Sequence, residues 1–187
     1  MCALILEIEA LQCNVEMDHA SMKFRRRIKE PAVPYRICKA FRVENAHMLT
    51  KHPEKCKYPH GHSRKVEVML SGDELDASDM VCDFKAVKLA VGEFIDSFDH
   101  AICVNSTDPF LVALREIPGS RVIVYPETDP TTEVMARHIF EHIKTALAAD
   151  VEYSTPNTHA RYRIGAGVKL DRVRLWETVD SWAEYWE

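Results

Sequence analysis

Two short runs of alternating character constrain this chain more than anything else in it. Tyr35, Ile37, Phe41 and Val43 alternate with more polar positions in 35–43, and Val66, Val68 and Leu70 repeat the pattern in 64–70. Successive side chains on a strand point to opposite faces, so period-two alternation predicts strands with one buried face. The first strand runs into His47. The second follows a loop rich in Lys and Pro and is closed by the turn residues Ser71-Gly72-Asp73. Two strands joined by one loop predict an antiparallel pair.

Further along, the period becomes helical. Asp83 is a candidate N-cap, and Phe84, Val87, Val91, Phe94, Ile95 and Phe98 follow it as a broad apolar stripe. A short helix is expected over 110–116, stopped by Pro118-Gly119, and a short strand over 121–125. Pro130-Thr131-Thr132-Glu133 opens a second long helix whose apolar face holds Met135, Ile139, Phe140, Ile143 and Leu147. Residues 150–167 read as a polar loop and 168–178 as a final strand, with Trp182, Tyr185 and Trp186 ending the chain. Strands, then helices, then a closing strand predict an α+β domain with helices on one face of an antiparallel sheet. Residues 1–33, with a basic cluster at Arg25, Arg26 and Arg27, differ from the rest and read as an N-terminal appendage to a domain spanning 34–187.

Such a domain needs a core, and 187 residues with 47% hydrophobic and 28% charged content can build one. The net charge of -5 argues against a nucleic-acid partner. No stretch approaches the ~20 apolar residues of a membrane span. Glu7 and Glu9 interrupt the apolar start, which lacks a basic lead, so no signal peptide is predicted. The six cysteines form no C-x-x-C pair, and free thiols in a reducing cytoplasm are the expectation. Lys51, His52, Lys55, Lys57, Arg64 and Lys65 crowd one region and offer a basic patch to an anionic ligand.

The sharpest local signal is His60-Gly61-His62. In an extended segment both imidazoles point to one side, and the glycine keeps the space between them clear. If the two strands pair, His47 supplies a third nitrogen. Three neutral imidazoles with a vacant position make a catalytic zinc site, whereas Cys56 as a fourth ligand would close a structural one. Off the metal, Cys56 would act as a thiolate acid/base, activated by the cation and by Lys55 and Lys57. Asp99-His100 is a candidate acid/base pair at a helix end. His138 and His142 lie four apart on a helix but lack a third ligand nearby. Glu177 shares the inward face of Val173 and Leu175, where it needs either a guanidine-like ligand edge or an internal arginine.

Read in order, F-x-x-x-x-A-H from Phe41, C-x-x-x-H-G-H from Cys56, M-V-x-D-F from Met80, Asp99-His100, P-T-x-E from Pro130 and W-E-T-x-x-S-W-A-E-Y from Trp176 resemble the 6-pyruvoyltetrahydropterin synthase and 6-carboxytetrahydropterin synthase family. The resemblance runs from Tyr35 to Trp186. It implies the tunnelling fold: a four-stranded antiparallel sheet with two helices on one side, closed by trimers into a barrel, with two trimers stacked and active sites between subunits. It implies zinc held by His47, His60 and His62, Cys56 as catalytic thiol, Asp99 with His100 as the second proton-transfer unit, and Glu177, helped by Thr131 and Thr132, as pterin anchor. The implied substrate is 7,8-dihydroneopterin triphosphate.

Only three residues separate Cys56 from His60, as in the bacterial carboxy-forming branch of 7-deazaguanine (queuosine) biosynthesis. That branch releases triphosphate and acetaldehyde; the animal-type pyruvoyl enzymes carry a longer insert. This chain departs from the family pattern at Arg64, where an aromatic residue is common. It departs again at Val104-Asn105, where the family's asparagine is displaced by one, and in the lengths of 1–33 and 150–167.

Overall fold

The computed structural model describes residues 35–155 and 157–187; the appendage, and Pro156 of the polar loop, lie outside the described residues. Strand β1, Tyr35–His47, pairs antiparallel with β2, His60–Gly72, through an unbroken register from Tyr35 opposite Gly72 to His47 opposite His60. Strand β3, Ala101–Asn105, runs parallel to the end of β1, and β4, Val122–Tyr125, runs parallel to β3. Two three-residue strands, β5, Glu152–Ser154, and β6, Arg161–Arg163, pair antiparallel as a hairpin. Strand β7, Lys169–Trp176, is antiparallel to β2, and β8, Trp182–Tyr185, is antiparallel to β7. The main sheet therefore has the order β4-β3-β1-β2-β7-β8. Its antiparallel part, β1-β2-β7-β8, is the expected four-stranded sheet; β3 and β4 extend it in parallel.

Helix α1, Phe84–Asp96, starts as expected: Asp83 accepts the Lys85 N–H at 2.7 Å. Helix α2, Leu111–Glu116, is a short connector. Helix α3, Thr132–Ala148, has Thr131 as N-cap. Both long helices pack on one face of the sheet. Val43, Val66, Val68, Leu70, Val173 and Leu175 meet Val87, Val91 and Ile95 of α1 and Met135, Ile139, Phe140 and Ile143 of α3 in one buried cluster. Phe84, expected in the stripe, is instead exposed at the first turn of α1, while Phe98 is buried past its end. The opposite face carries charge pairs, among them Lys65–Glu67 at 2.9 Å and Arg174–Glu184 at 2.8 Å.

Residues 150–167 are not wholly loop, since the hairpin pairs Tyr153 with Tyr162 and ties Arg161 to Glu152 at 3.2 Å. Three-residue strands are too short to display a period. Among the described residues no helix is long and apolar enough to cross a membrane.

Candidate metal centre

The core face of the sheet continues past the core. Beyond Val43 the same pleat of β1 presents Asn45 and His47; ahead of Val66, β2 presents Arg64, His62 and His60. Past Leu175 the face of β7 extends to Glu177. The i, i+2 reading of His60 and His62 therefore holds, and the register brings in His47. The ring centroids of His47 and His60 are 4.4 Å apart, and His62 lies 5.1 Å from each. One nitrogen from each ring lies within 4.8 Å of the others.

Backbone carbonyls aim two of these rings. A carbonyl only accepts, so His47 Nδ1 donates to Pro130 O at 2.9 Å and His60 Nδ1 to Tyr58 O at 2.8 Å, leaving each Nε2 lone pair for the centre. His62 Nε2 is buried without a hydrogen-bond partner among the described residues, the kind of orphan a bound cation satisfies. Burial pushes the His47 pKa down to about 4; the Pro130 contact opposes this and the Arg64 charge adds to it. Burial and Arg64 lower His62 as well. Both stay neutral, as metal ligands must. Three imidazoles converging on one point fit a catalytic zinc-type ion. The Cys56 thiol, half-buried on the 3-10 turn Lys55–Lys57, is not among the converging ligand atoms, which disfavours the closed four-ligand arrangement.

Glu177 faces inward, as read from its strand, and it also has the internal arginine. Its Oε1 lies 3.3 Å from Arg64 Nη2, 3.0 Å from Thr132 Oγ1, 3.4 Å from His47 Nε2 and 3.6 Å from His62 Nε2. Burial works against its ionisation, but the Arg64 charge and the Thr132 hydroxyl outweigh that and hold the carboxyl below its usual range. Oε2 has no hydrogen bond among the described residues. A cavity of about 270 Å³ opens here, lined by His47, Thr131, Thr132, Glu133, Glu177 and Trp182, among others. Thr131 accepts from Val134 N at 3.4 Å while Thr132 touches the carboxylate, so the helix start is aimed at the site.

Arg64 does not belong to a basic patch. It is buried in the core face, while Lys65, its neighbour, points to the other face and pairs with Glu67. Strand alternation separates what the sequence crowds together. Sequence reasoning also passed over Asp129, whose Oδ2 accepts Lys51 N at 2.7 Å and whose Oδ1 accepts Asn105 Nδ2 at 2.8 Å. Segment 129–132 thus ties the Cys56-bearing loop, His47 and Glu177 together. His138 and His142 do not form a metal pair: His138 bonds the Tyr125 hydroxyl at 3.0 Å and His142 stacks on Phe94 at 3.5 Å.

Asp99 and His100 contact each other, Nδ1 to Oδ2 at 2.8 Å, and Asp99 Oδ1 accepts the Glu44 N–H at 2.7 Å. Those bonds, Glu44's first, hold the Asp99 carboxyl below its usual range. The pair sits beside Glu44, three residues before His47, or about 10 Å along β1. His100 opens onto a groove of about 480 Å³ lined by Glu44, Ala46, Gly61, His62 and Ser63, among others. No hydrogen bond among the described residues links the pair to Cys56 or the three histidines.

A family model described as 6-pyruvoyl tetrahydropterin synthase matches residues 36–187. The 6-carboxy-5,6,7,8-tetrahydropterin synthase of Aquifex aeolicus is 30% identical over 171 residues, covering 82% of this chain and 98% of that protein. The Haemophilus influenzae enzyme of the same name is 31% identical over 160 residues, covering 82% and 99%. Among solved structures, an uncharacterized protein of Wolinella succinogenes superposes with a TM-score of 0.64 at 22% identity, over 83% of this chain and 99% of that one. The 6-pyruvoyl tetrahydropterin synthase of Caenorhabditis elegans superposes at 0.54 with 20% identity, over 82% and 96%. These two likenesses establish the fold.

Proposed function

The chain belongs to the 6-pyruvoyl tetrahydropterin synthase family, and from that premise we propose that it converts 7,8-dihydroneopterin triphosphate to 6-carboxy-5,6,7,8-tetrahydropterin, releasing triphosphate and acetaldehyde, on the route to 7-deazaguanines such as queuosine. The observation that carries this reading is the convergence of His47, His60 and His62 beside the inward carboxylate of Glu177. The names of the relatives from Aquifex aeolicus and Haemophilus influenzae support the carboxy-forming branch, as does the short spacing from Cys56 to His60.

The three histidines would hold zinc, which when bound supplies a Lewis acid that polarises the substrate's side-chain oxygens and acidifies the adjacent C–H bonds. Cys56, as thiolate, removes a proton from the side chain. Asp99 orients His100, which carries protons on the other side of the substrate. Glu177 binds the guanidine-like edge of the pterin through Oε2, because Oε1 is already committed to Arg64 and Thr132. Thr131 and Thr132 border the same cavity. The working protein is a trimer or stacked trimers in the cytoplasm, where thiols stay reduced. As the resemblance implies for sites between subunits, a neighbouring copy completes each site.

Mass identification of the products formed from 7,8-dihydroneopterin triphosphate tests the reading. 6-Carboxytetrahydropterin with acetaldehyde is expected. A 6-pyruvoyl product without acetaldehyde would place the chain in the sibling branch instead, and unchanged substrate would refute the lyase assignment.

A further inference from the structure

Arg64 is the largest of the fully buried side chains among the described residues, and its guanidinium reaches His47 of the triad. Nη1 donates to Thr132 Oγ1 at 3.1 Å and Nη2 to Glu177 Oε1 at 3.3 Å. Nη2 also lies 3.2 Å from His47 Nδ1 and 3.4 Å from His47 Nε2. Nearly equal distances to both ring nitrogens place it against the ring, not on either lone pair. Arg64 Nε has no partner among the described residues.

A buried guanidinium needs a counter-charge. Among the described residues the only carboxylate within ion-pair distance is Glu177. The oxygen that neutralises Arg64 is also the one lying 3.4 Å from His47 Nε2 and 3.6 Å from His62 Nε2. One atom therefore serves both a fixed internal cation and the mouth of the imidazole cluster. A divalent ion held by those imidazoles meets the field of a guanidinium that burial shields from water, where like charges repel strongly.

We propose that Arg64 is a built-in cation of this metal centre: it holds Glu177 Oε1 against the histidines and competes with the divalent ion for that carboxylate, so that the Arg64–Glu177 pair sets how tightly the chain holds its metal. The inference rests on the triad being the metal site. Arg64 is here a positioning residue, acting through Glu177. Removing its charge takes away the repulsion and releases Oε1 to the ion. Removing the Glu177 charge leaves two cations facing one another. Removing both restores much of the balance.

Zinc dissociation constants of the full chain, measured by competition with a chromophoric chelator and with folding followed by circular dichroism, test this. Arg64→Met is expected to bind zinc about tenfold more tightly than the wild type, and Glu177→Gln about tenfold more weakly. Arg64→Lys, which keeps the charge, should stay close to the wild type, and the double variant Arg64→Met/Glu177→Gln should fall between the singles. A folded Arg64→Met with unchanged or weaker affinity overturns the proposal. If Arg64→Met does not fold, Glu177→Gln decides: wild-type affinity there overturns it equally. A wild-type chain whose zinc binding survives His60→Ala overturns both this proposal and the metal reading. Triad-dependent binding that ignores Arg64 and Glu177 overturns this proposal alone.

Discussion

Glu177 offers a ligand one oxygen, because Oε1 already accepts from Arg64 and Thr132. A single charge-assisted hydrogen bond in a dry site contributes roughly 1.5–3 kcal/mol. At saturating zinc, Glu177→Gln should therefore raise KM roughly tenfold to a hundredfold, since that contact exists before and during reaction. Cys56→Ala should instead remove kcat, because a proton acceptor acts only as the bond breaks. Steady-state kinetics of both variants check the division of labour; an unchanged KM for Glu177→Gln or a near-normal kcat for Cys56→Ala contradicts it. At this scale much was legible in the sequence. The i, i+2 spacing of His60 and His62 and the inward register of Glu177 follow from strand periodicity alone. Arg64 obeys the same rule, two residues from His62 and two from Val66, yet a charged side chain is ordinarily assigned to solvent. Its burial follows from one partner, Glu177, more than a hundred residues away, which no local pattern reveals.

Between elements, Asn45 joins β1 to the turn that follows α1. Its amide donates to Phe98 O at 3.2 Å and Ala101 O at 3.0 Å from a nearly inaccessible position. Asn45→Ala leaves those buried carbonyls short of a donor and should cost about 1–3 kcal/mol in denaturant unfolding. A loss well under that range would show that the turn is held by Asp99 and Glu44 instead. Strand β1, strand β2 and both long helices were readable from their periods and caps. Strand β3 was not, because Ala101–Asn105 is buried almost throughout and lies between β1 and β4, so it shows no alternation. The hairpin of β5 and β6 escaped because each strand spans a single alternation, and β8 because the aromatic ending of the chain hides a four-residue strand.

Across the molecule, strands β4 and β8 are the outer strands of the main sheet with no further strand paired to them among the described residues, and Trp182 on β8 is 45% exposed. Open edges invite pairing with another copy. Light scattering in dilute solution should find trimers or stacked trimers; an active monomer would remove the shared-site account. The resemblance carried the assembly expectation, since nothing in a single chain's periodicity encodes a partner. The central claim is that His47, His60 and His62 hold the zinc on which pterin chemistry depends. It is tested most directly by following product formation from 7,8-dihydroneopterin triphosphate with chelator-stripped protein, before and after adding about one zinc ion per chain. The account predicts no turnover before, 6-carboxytetrahydropterin and acetaldehyde after, and no rescue of His60→Ala. Undiminished turnover by the stripped protein would contradict it.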